Sequence, residues 1–194
     1  MQPRSIRSKW KYDRLSGSVM ETSIQKDSVE KKRSWYLNWE QYFMATAFIS
    51  GQRSKDPVTQ VGACIVNSDK RIVGMGYNGM PNNCSDDAFP WGKGETTDTN
   101  KKLFVCHAEL NAIVNKIQAD IRGCEIYVTR FPCNECTKLI VQSGLKKVTY
   151  YSDKGFIEPV EQASKRMLEA NNVELKKYEP SGVCLKIGPE EFKL

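Results

Sequence analysis

The chain has a single histidine, His107, among 194 residues. One imidazole excludes every metal or acid–base site that needs two. Long apolar runs are also missing. The longest, residues 42–49, falls well short of the roughly 18–20 residues needed to cross a bilayer, so no membrane partner is expected. No segment pairs an apolar centre with a small-residue cleavage site, so a secretory leader is not expected. Seven cysteines at irregular spacings make an odd set that cannot close into a disulfide framework, which argues for a reducing, cytoplasmic setting. Finally, the body lacks a charge excess. The net charge of +6 divides into +5 for residues 1–33, with nine basic and four acidic side chains, and +1 for residues 34–194, with 20 and 19. A domain that grips a polyphosphate backbone usually carries a basic stripe, so nucleic acid is not the expected partner.

At 40% hydrophobic residues, the chain has enough apolar material for one core. Residues 1–33 have little of it and much Ser, Lys and Arg, which reads as a basic, disordered extension ahead of a domain spanning 34–194. The extension's first twenty residues hold Arg4, Arg7, Lys9, Lys11 and Arg14 against Asp13 alone. Organelle transit peptides share that bias, but no amphipathic face develops here.

Order is expected from Asn38, an N-cap completed by Gln41 three residues later, into a helix buried on most sides and ending near Gly51. Residues 61–66 form a short unbroken apolar run, read as an interior strand. A turn at 67–70 returns the chain as a second strand over 71–77, giving a hairpin. Residues 78–100, rich in Gly, Pro, Asn and Asp, read as a long functional loop. Leu110, Ile113, Val114 and Ile117 have the spacing of one helix face. Strands follow at 125–129 and 147–151, with helices marked by Cys136, Leu139 and Ile140 and by Val160, Ala163, Met167 and Leu168. Residues 173–177 and 183–187 are expected as edge strands. A hairpin followed by alternating strands and helices implies a three-layer α/β/α fold around a central mixed sheet of about five strands.

The chemistry concentrates in two segments. Catalytic zinc takes three protein ligands and keeps a fourth position for water, and His107, Cys133 and Cys136 supply such a set. Pro132 favours entry to a helix, which places both sulfurs in a first turn where the helix dipole favours thiolate. Glu109, two residues from the imidazole, reaches a metal-bound water without ligating the metal. A Cys-x-x-Cys pair alone is a weak signal. The only histidine falling in His-x-Glu, with Pro-Cys-x-x-Cys starting 25 residues later, is a strong one. Its structural rival is a closed cage with Cys106 as fourth ligand, which would leave Glu109 without a task. His-x-Glu followed by Pro-Cys-x-x-Cys is the signature of zinc nucleobase deaminases, where a carboxylate moves protons between water, ring nitrogen and departing ammonia.

Over residues 39–177 the sequence resembles the deoxycytidylate (dCMP) deaminases of the zinc-dependent cytidine/deoxycytidylate deaminase superfamily. The resemblance is carried by Arg53-Ser54-Lys55-Asp56-Pro57, Gln60-Val61-Gly62-Ala63, Gly76-Tyr77-Asn78-Gly79-Met80-Pro81, Cys106-His107-Ala108-Glu109-Leu110-Asn111-Ala112, Phe131-Pro132-Cys133-Asn134-Glu135-Cys136 and Ser152-Asp153-Lys154. It implies a cytidine-deaminase-like fold and hydrolysis of dCMP to dUMP and ammonia, feeding thymidylate synthesis. It implies zinc on His107, Cys133 and Cys136, with Glu109 as the catalytic acid–base. Asn78 would contact the nucleoside and the Ala108 N–H the pyrimidine carbonyl. Lys154, at the C-terminal end of a sheet strand, is the expected phosphate contact. The resemblance further implies a homohexamer activated by dCTP and inhibited by dTTP, each with Mg2+, at a site near Arg53, Lys55, Asp56 and Gly79. Two features depart from the pattern: the basic extension before Ser34, and Gly155-Phe156-Ile157 where polar sequence is expected. Cys64, Cys84, Cys124 and Cys184 read as buried or free thiols. Two rival functions remain: a deaminase acting on tRNA or single-stranded DNA, and a non-catalytic zinc-stabilised interaction module.

Overall fold

A computed structural model describes residues 32–154 and 158–194, together with the backbone of two short stretches, β1 (Trp10–Tyr12) and β2 (Val19–Glu21). Those strands pair antiparallel, Trp10 opposite Glu21, within a unit that runs to Tyr36. Most of the expected disordered extension falls outside the described residues.

The second unit, Leu37–Leu194, begins with α1 (Trp39–Gly51). Its start is the capping box read from the sequence: the Asn38 side chain accepts from the Gln41 N–H at 2.9 Å, and the Gln41 carbonyl accepts from the Asn38 N–H at 2.8 Å. The helix is apolar on most sides because it is covered on most sides; Phe43, Met44 and Ala47 are fully buried. Strands β3 (Gly62–Val66) and β4 (Ile72–Tyr77) form the expected hairpin. A bulge near Val73 lets Val66 pair with Ile72. Then follow α2 (Ala108–Val114), β5 (Glu125–Arg130), α3 (Asn134–Gln142), β6 (Lys147–Ser152), α4 (Glu158–Ala170) and β7 (Glu174–Lys177).

The central sheet has the order β4-β3-β5-β6-β7, with β3 antiparallel to both neighbours and β5, β6 and β7 parallel. Side chains on a strand alternate between faces, and β3 shows both cores at once. Ala63 and Ile65 join Ala108, Ala112, Ile140 and Leu168 of α2, α3 and α4, whereas Cys64 and Val66 join Phe43, Met44 and Ala47 of α1. This unit is therefore three-layered around a mixed five-stranded sheet, as the alternation of elements implied. Fully burying one of these large apolar side chains contributes about 1.5–3 kcal/mol.

Two expectations need correction. Residues 183–187 do not edge the central sheet; β8 (Cys184–Ile187) pairs with β9 (Glu190–Lys193) in a separate hairpin over α1, where Phe192 stacks on Phe48 at 4.4 Å. The apolar stripe at 110–117 is not the fully buried face of α2 either, although Ile113, partly buried, packs against the core. The helix stops at Val114, and Val114 and Ile117 are 68% and 85% exposed. Its buried face is Ala108, Glu109 and Ala112, because α2 lies almost on the backbone of β4. A Cβ at Gly76 would come within 2.2 Å of the Ala108 carbonyl oxygen, so neither partner tolerates bulk there.

Candidate active site

The candidate groups stand at the N-termini of α2 and α3, beside the C-terminal end of β5. His107 is the N-cap of α2, extended at φ −73° and ψ 159°, and Glu109 lies in that helix's first turn. Cys133 is the N-cap of α3, its sulfur accepting the Cys136 N–H at 3.5 Å. Pro132 sits one residue before the cap, so the helix begins at Asn134. Both sulfurs thus project from one turn.

His107 Nδ1 lies 3.4 Å from Cys133 Sγ and 3.3 Å from Cys136 Sγ. Tetrahedral zinc with bonds of about 2.0 Å to nitrogen and about 2.3 Å to sulfur separates those atoms by about 3.5 Å. The donor set fits zinc in chemistry and in span. Among the described residues this is the one His/Cys/Asp/Glu cluster of its kind, and Cys106 is not in it. Cys106 pairs through its backbone with Gly79, accepting and donating at 3.1 and 2.9 Å.

Electrostatics divide the charge in the cluster. Hydrogen bonding to the Cys136 thiol, with His107 adding its own, brings Cys133 down to about 4 against the opposing effect of burial. Cys136 is raised, first because it donates to Cys133, then by burial. His107 is raised by its bond to Cys133. Glu109 is 4% exposed, and burial raises its carboxyl above the ordinary value despite the attraction of His107. A carboxyl shifted in that direction holds a proton more readily than a free glutamate, which suits a general acid–base.

These groups open on a cavity of about 390 Å³ whose lining includes Val61, Asn78, His107, Ala108, Glu109, Phe131, Cys133 and Val160. Such a volume lies within the ~300–1,000 Å³ of small-molecule sites. The opposite wall comes from the turn after α1 and the long loop after β4. There the Lys101 ammonium, on a 3-10 turn (Lys101–Leu103), sits 2.5 Å from both Asp56 oxygens, and both residues are buried. Burial opposes the Asp56 charge, but Lys101 and the N–H groups of Val58 and Thr59 outweigh it and lower the carboxyl. Asn78 completes this wall, accepting the Val61 N–H at 2.8 Å and donating to the Thr59 carbonyl at 3.0 Å.

Of the residues expected from sequence, His107, Ala108, Glu109, Cys133, Asn78 and Asp56 line the one cavity, and Cys136 faces it through the metal cluster. Lys154 does not line it; it is exposed and its N–H donates to the Ser152 hydroxyl at 3.3 Å. Arg53 and Lys55 lie outside as exposed residues, Lys55 paired with Asp86 at 2.5 Å. Gly79 is held by its bridge to Cys106. Lys93, Lys101, Lys102 and Arg130 line the cavity without having been expected. Lysine is rarely buried unless paired, so no local signal marks Lys101. Cys64 and Cys124 are buried thiols, Cys84 is half-buried and Cys184 is exposed; all are free. Among the described residues no helix is long and apolar enough to cross a membrane.

A mixed five-stranded sheet with one imidazole, two cysteine sulfurs and a buried carboxyl at its helix N-termini defines a class, and comparison with known proteins agrees. The family model of the cytidine and deoxycytidylate deaminase zinc-binding region matches residues 37–152, and the chain belongs to that family. Within it, the chain is 54% identical over 158 residues to a human protein named deoxycytidylate deaminase, covering 81% of this chain and 88% of the human one. It is 48% identical over 184 residues to a Drosophila melanogaster protein named probable deoxycytidylate deaminase, covering 92% and 91%. The crystal structure of dCMP deaminase from cyanophage S-TIM5 in complex with dCMP and dUMP matches at a TM-score of 0.57 and 32% identity, covering 72% of this chain and 96% of that one.

Proposed function

We propose that this protein hydrolyses dCMP to dUMP and ammonia, supplying dUMP for thymidylate synthesis. The observation that carries the reading is the buried Glu109 carboxyl beside a three-donor zinc site in a cavity of nucleotide size. It is supported by the named relatives and by the phage enzyme's complex with dCMP and dUMP.

His107, Cys133 and Cys136 would hold zinc, which when bound would supply an acidified water beside the substrate. Glu109 takes up a proton as a water oxygen adds to the amino-bearing carbon, C4. The carboxyl then protonates ring N3. A second proton passes through Glu109 to the amino group, the C4–N bond breaks, and ammonia leaves a new carbonyl at C4. One carboxylate serves both directions, and burial, by raising its proton affinity, favours its holding the proton between the two transfers.

The N–H of Ala108, first residue of α2, has no acceptor within its own helix and meets the pyrimidine carbonyl. Asn78 has both amide hydrogens engaged, by the Thr59 carbonyl and Asp56, so it meets a sugar hydroxyl only as an acceptor, through its second carbonyl lone pair. Residues 34–194 form the catalytic domain and 1–33 a basic extension. The working enzyme is a homohexamer in a reducing, cytoplasmic compartment, activated by dCTP and inhibited by dTTP with Mg2+. The support for regulation is the resemblance over residues 53–57 and 76–81, where Arg53, Lys55 and Gly79 lie. Asp56, tied to Lys101, acts there by holding the wall rather than by meeting an effector.

The test is an assay of the purified, zinc-loaded protein against cytosine nucleotides and nucleosides. The expected result is stoichiometric dUMP and ammonia from dCMP, with sigmoidal dependence relieved by dCTP. Absence of turnover on dCMP overturns the reading, whereas hyperbolic kinetics indifferent to dCTP and dTTP removes the regulation alone.

A further inference from the structure

If the substrate is a nucleoside monophosphate, its 5′-phosphate lies at the end remote from the amino group and brings up to two negative charges into the cavity. The lining holds four cations, Lys93, Lys101, Lys102 and Arg130, against two carboxylates, Asp56 and Glu109. Lys101 is bound to both oxygens of Asp56, and Glu109 stands at the metal cluster. Lys93 and Lys102 therefore face the cavity in excess of that pairing, with Arg130 beside them in the lining. Among the described residues neither Lys93 nor Lys102 makes an ion pair with a carboxylate.

Both lysine side chains are exposed, but their backbone is held. They ride on a small hairpin in which the Gly94 N–H donates to the Thr99 carbonyl at 3.0 Å, the Lys101 N–H donates to the Gly92 carbonyl at 3.0 Å, and Lys93 bridges to Asn100. The hairpin closes because both neighbours of Lys93 are glycines. A Cβ would come within 2.7 Å of the Thr99 carbonyl oxygen at Gly92, and within 2.2 Å of the Thr99 hydroxyl at Gly94. Its far end is fixed by the buried Lys101–Asp56 pair, so Lys93 and Lys102 are carried at set positions on one wall. Arg130, the last residue of β5, brings a third cation from the sheet.

We infer that the substrate's 5′-phosphate is read by Lys93 and Lys102 of this glycine-flanked hairpin together with Arg130, and not by Lys154. The inference rests on the dCMP reading above and adds the groups that separate a nucleotide from a nucleoside. Each contact is a charge-assisted hydrogen bond, and losing one costs about 10- to 100-fold in affinity.

The test uses the zinc-loaded full chain, without effectors, in four variants: Lys93→Gln, Lys102→Gln, Arg130→Gln and Lys154→Gln. Calorimetry measures the Kd of dUMP and of deoxyuridine, and kinetics compare dCMP with deoxycytidine. The expected result is that the preference for dUMP over deoxyuridine falls about 10- to 100-fold in the first three variants, with the matching loss on dCMP appearing mainly in KM. Gly94→Val, which opens the hairpin without touching a charge, lowers the same preference. A preference equal to the parent's in the first three variants overturns the assignment. So does a loss that follows Lys154→Gln instead, or an effect confined to the dCTP response. A parent that binds dUMP but does not convert dCMP defeats the functional reading instead.

Discussion

On one side of the cavity the candidate groups are fixed by regular structure: two helix N-termini seated on a buried sheet hold His107, Glu109, Cys133 and Cys136 at a cap or within three residues of one. The facing wall has no such ladder. It is an irregular loop after β4, held to the turn after α1 by a buried Lys101–Asp56 pair and by Asn78. The first wall derives its precision from helix geometry, the second from a few polar contacts between residues far apart in sequence. Damage to the first should act on chemistry while sparing stability, and damage to the second should do the reverse.

The sharpest separation is expected at Glu109. Glu109→Gln keeps the shape and removes the proton carrier, so turnover of dCMP should fall by about 10²–10⁴ with zinc content unchanged by metal analysis. In the parent, the acid limb of kcat/KM should lie above the ordinary glutamate range, because burial raises this carboxyl and the base form is needed for attack. Loss of zinc together with activity would mean that the carboxylate belongs to the metal site.

Lys101 offers the opposite case. Lys101→Met leaves the Asp56 carboxylate buried and unpaired, a loss of about 3–5 kcal/mol by chemical denaturation. Adding Asp56→Asn should recover more than half, since the amide still accepts from Val58 and Thr59. The pH dependence gives a second handle. In the parent the Asp56 pKa is depressed on folding, so its contribution is present above the unfolded value and is lost as pH falls through the lower folded one. In Lys101→Met burial is unopposed and favours the protonated form. The stability gap between variant and parent should therefore narrow as pH is lowered from 7 towards about 4. A gap independent of pH would show that Lys101 acts by packing alone.

Gly76 joins the two effects, because the α2 backbone lies against it. Gly76→Ala forces a methyl into the 2.2 Å approach to the Ala108 carbonyl oxygen, and overpacking of this kind costs about 1–3 kcal/mol. Since α2 carries Glu109 and His107, kcat should fall along with the denaturation midpoint. Lost stability with full kcat would mean that the helix shifts as a rigid unit with its ligands.

The same division governs what could be read from sequence. The capping box at Asn38, the hairpin over residues 61–77, the alternation of strands and helices, and the metal cluster all rest on local patterns with a fixed period or spacing. Lys101, Lys93, Lys102 and Arg130 carry no such mark, since their place in the cavity follows from how a long loop folds back. Glycine density in that loop signalled irregularity without indicating what it packs on. The β8–β9 hairpin escaped for a related reason: strands of four residues, half exposed, alternate too weakly to reveal which sheet they join.

The instructive error is the stripe at 110–117, and it yields the smallest predicted effect. Leu110, Ile113, Val114 and Ile117 have the period of a core-facing helix, yet the fully buried face holds two alanines and the Glu109 carboxyl. Hydrophobic periodicity assumes that the helix stands about 10 Å from what it covers, with side chains filling the gap. Where a strand offers glycine and the helix meets its backbone directly, the close side must be small, and large apolar residues are displaced to other faces. Ile117, beyond the end of α2 and 85% exposed, should then behave as a surface residue. Ile117→Ser is expected to change stability by less than about 0.5 kcal/mol, against about 2–5 kcal/mol for truncating a core isoleucine. Denaturation of the isolated variant checks this at low protein concentration, where association between chains is weakest. A loss above about 1 kcal/mol that grows with protein concentration would place Ile117 in an interface between copies of the chain, whereas a concentration-independent loss would restore it to the core.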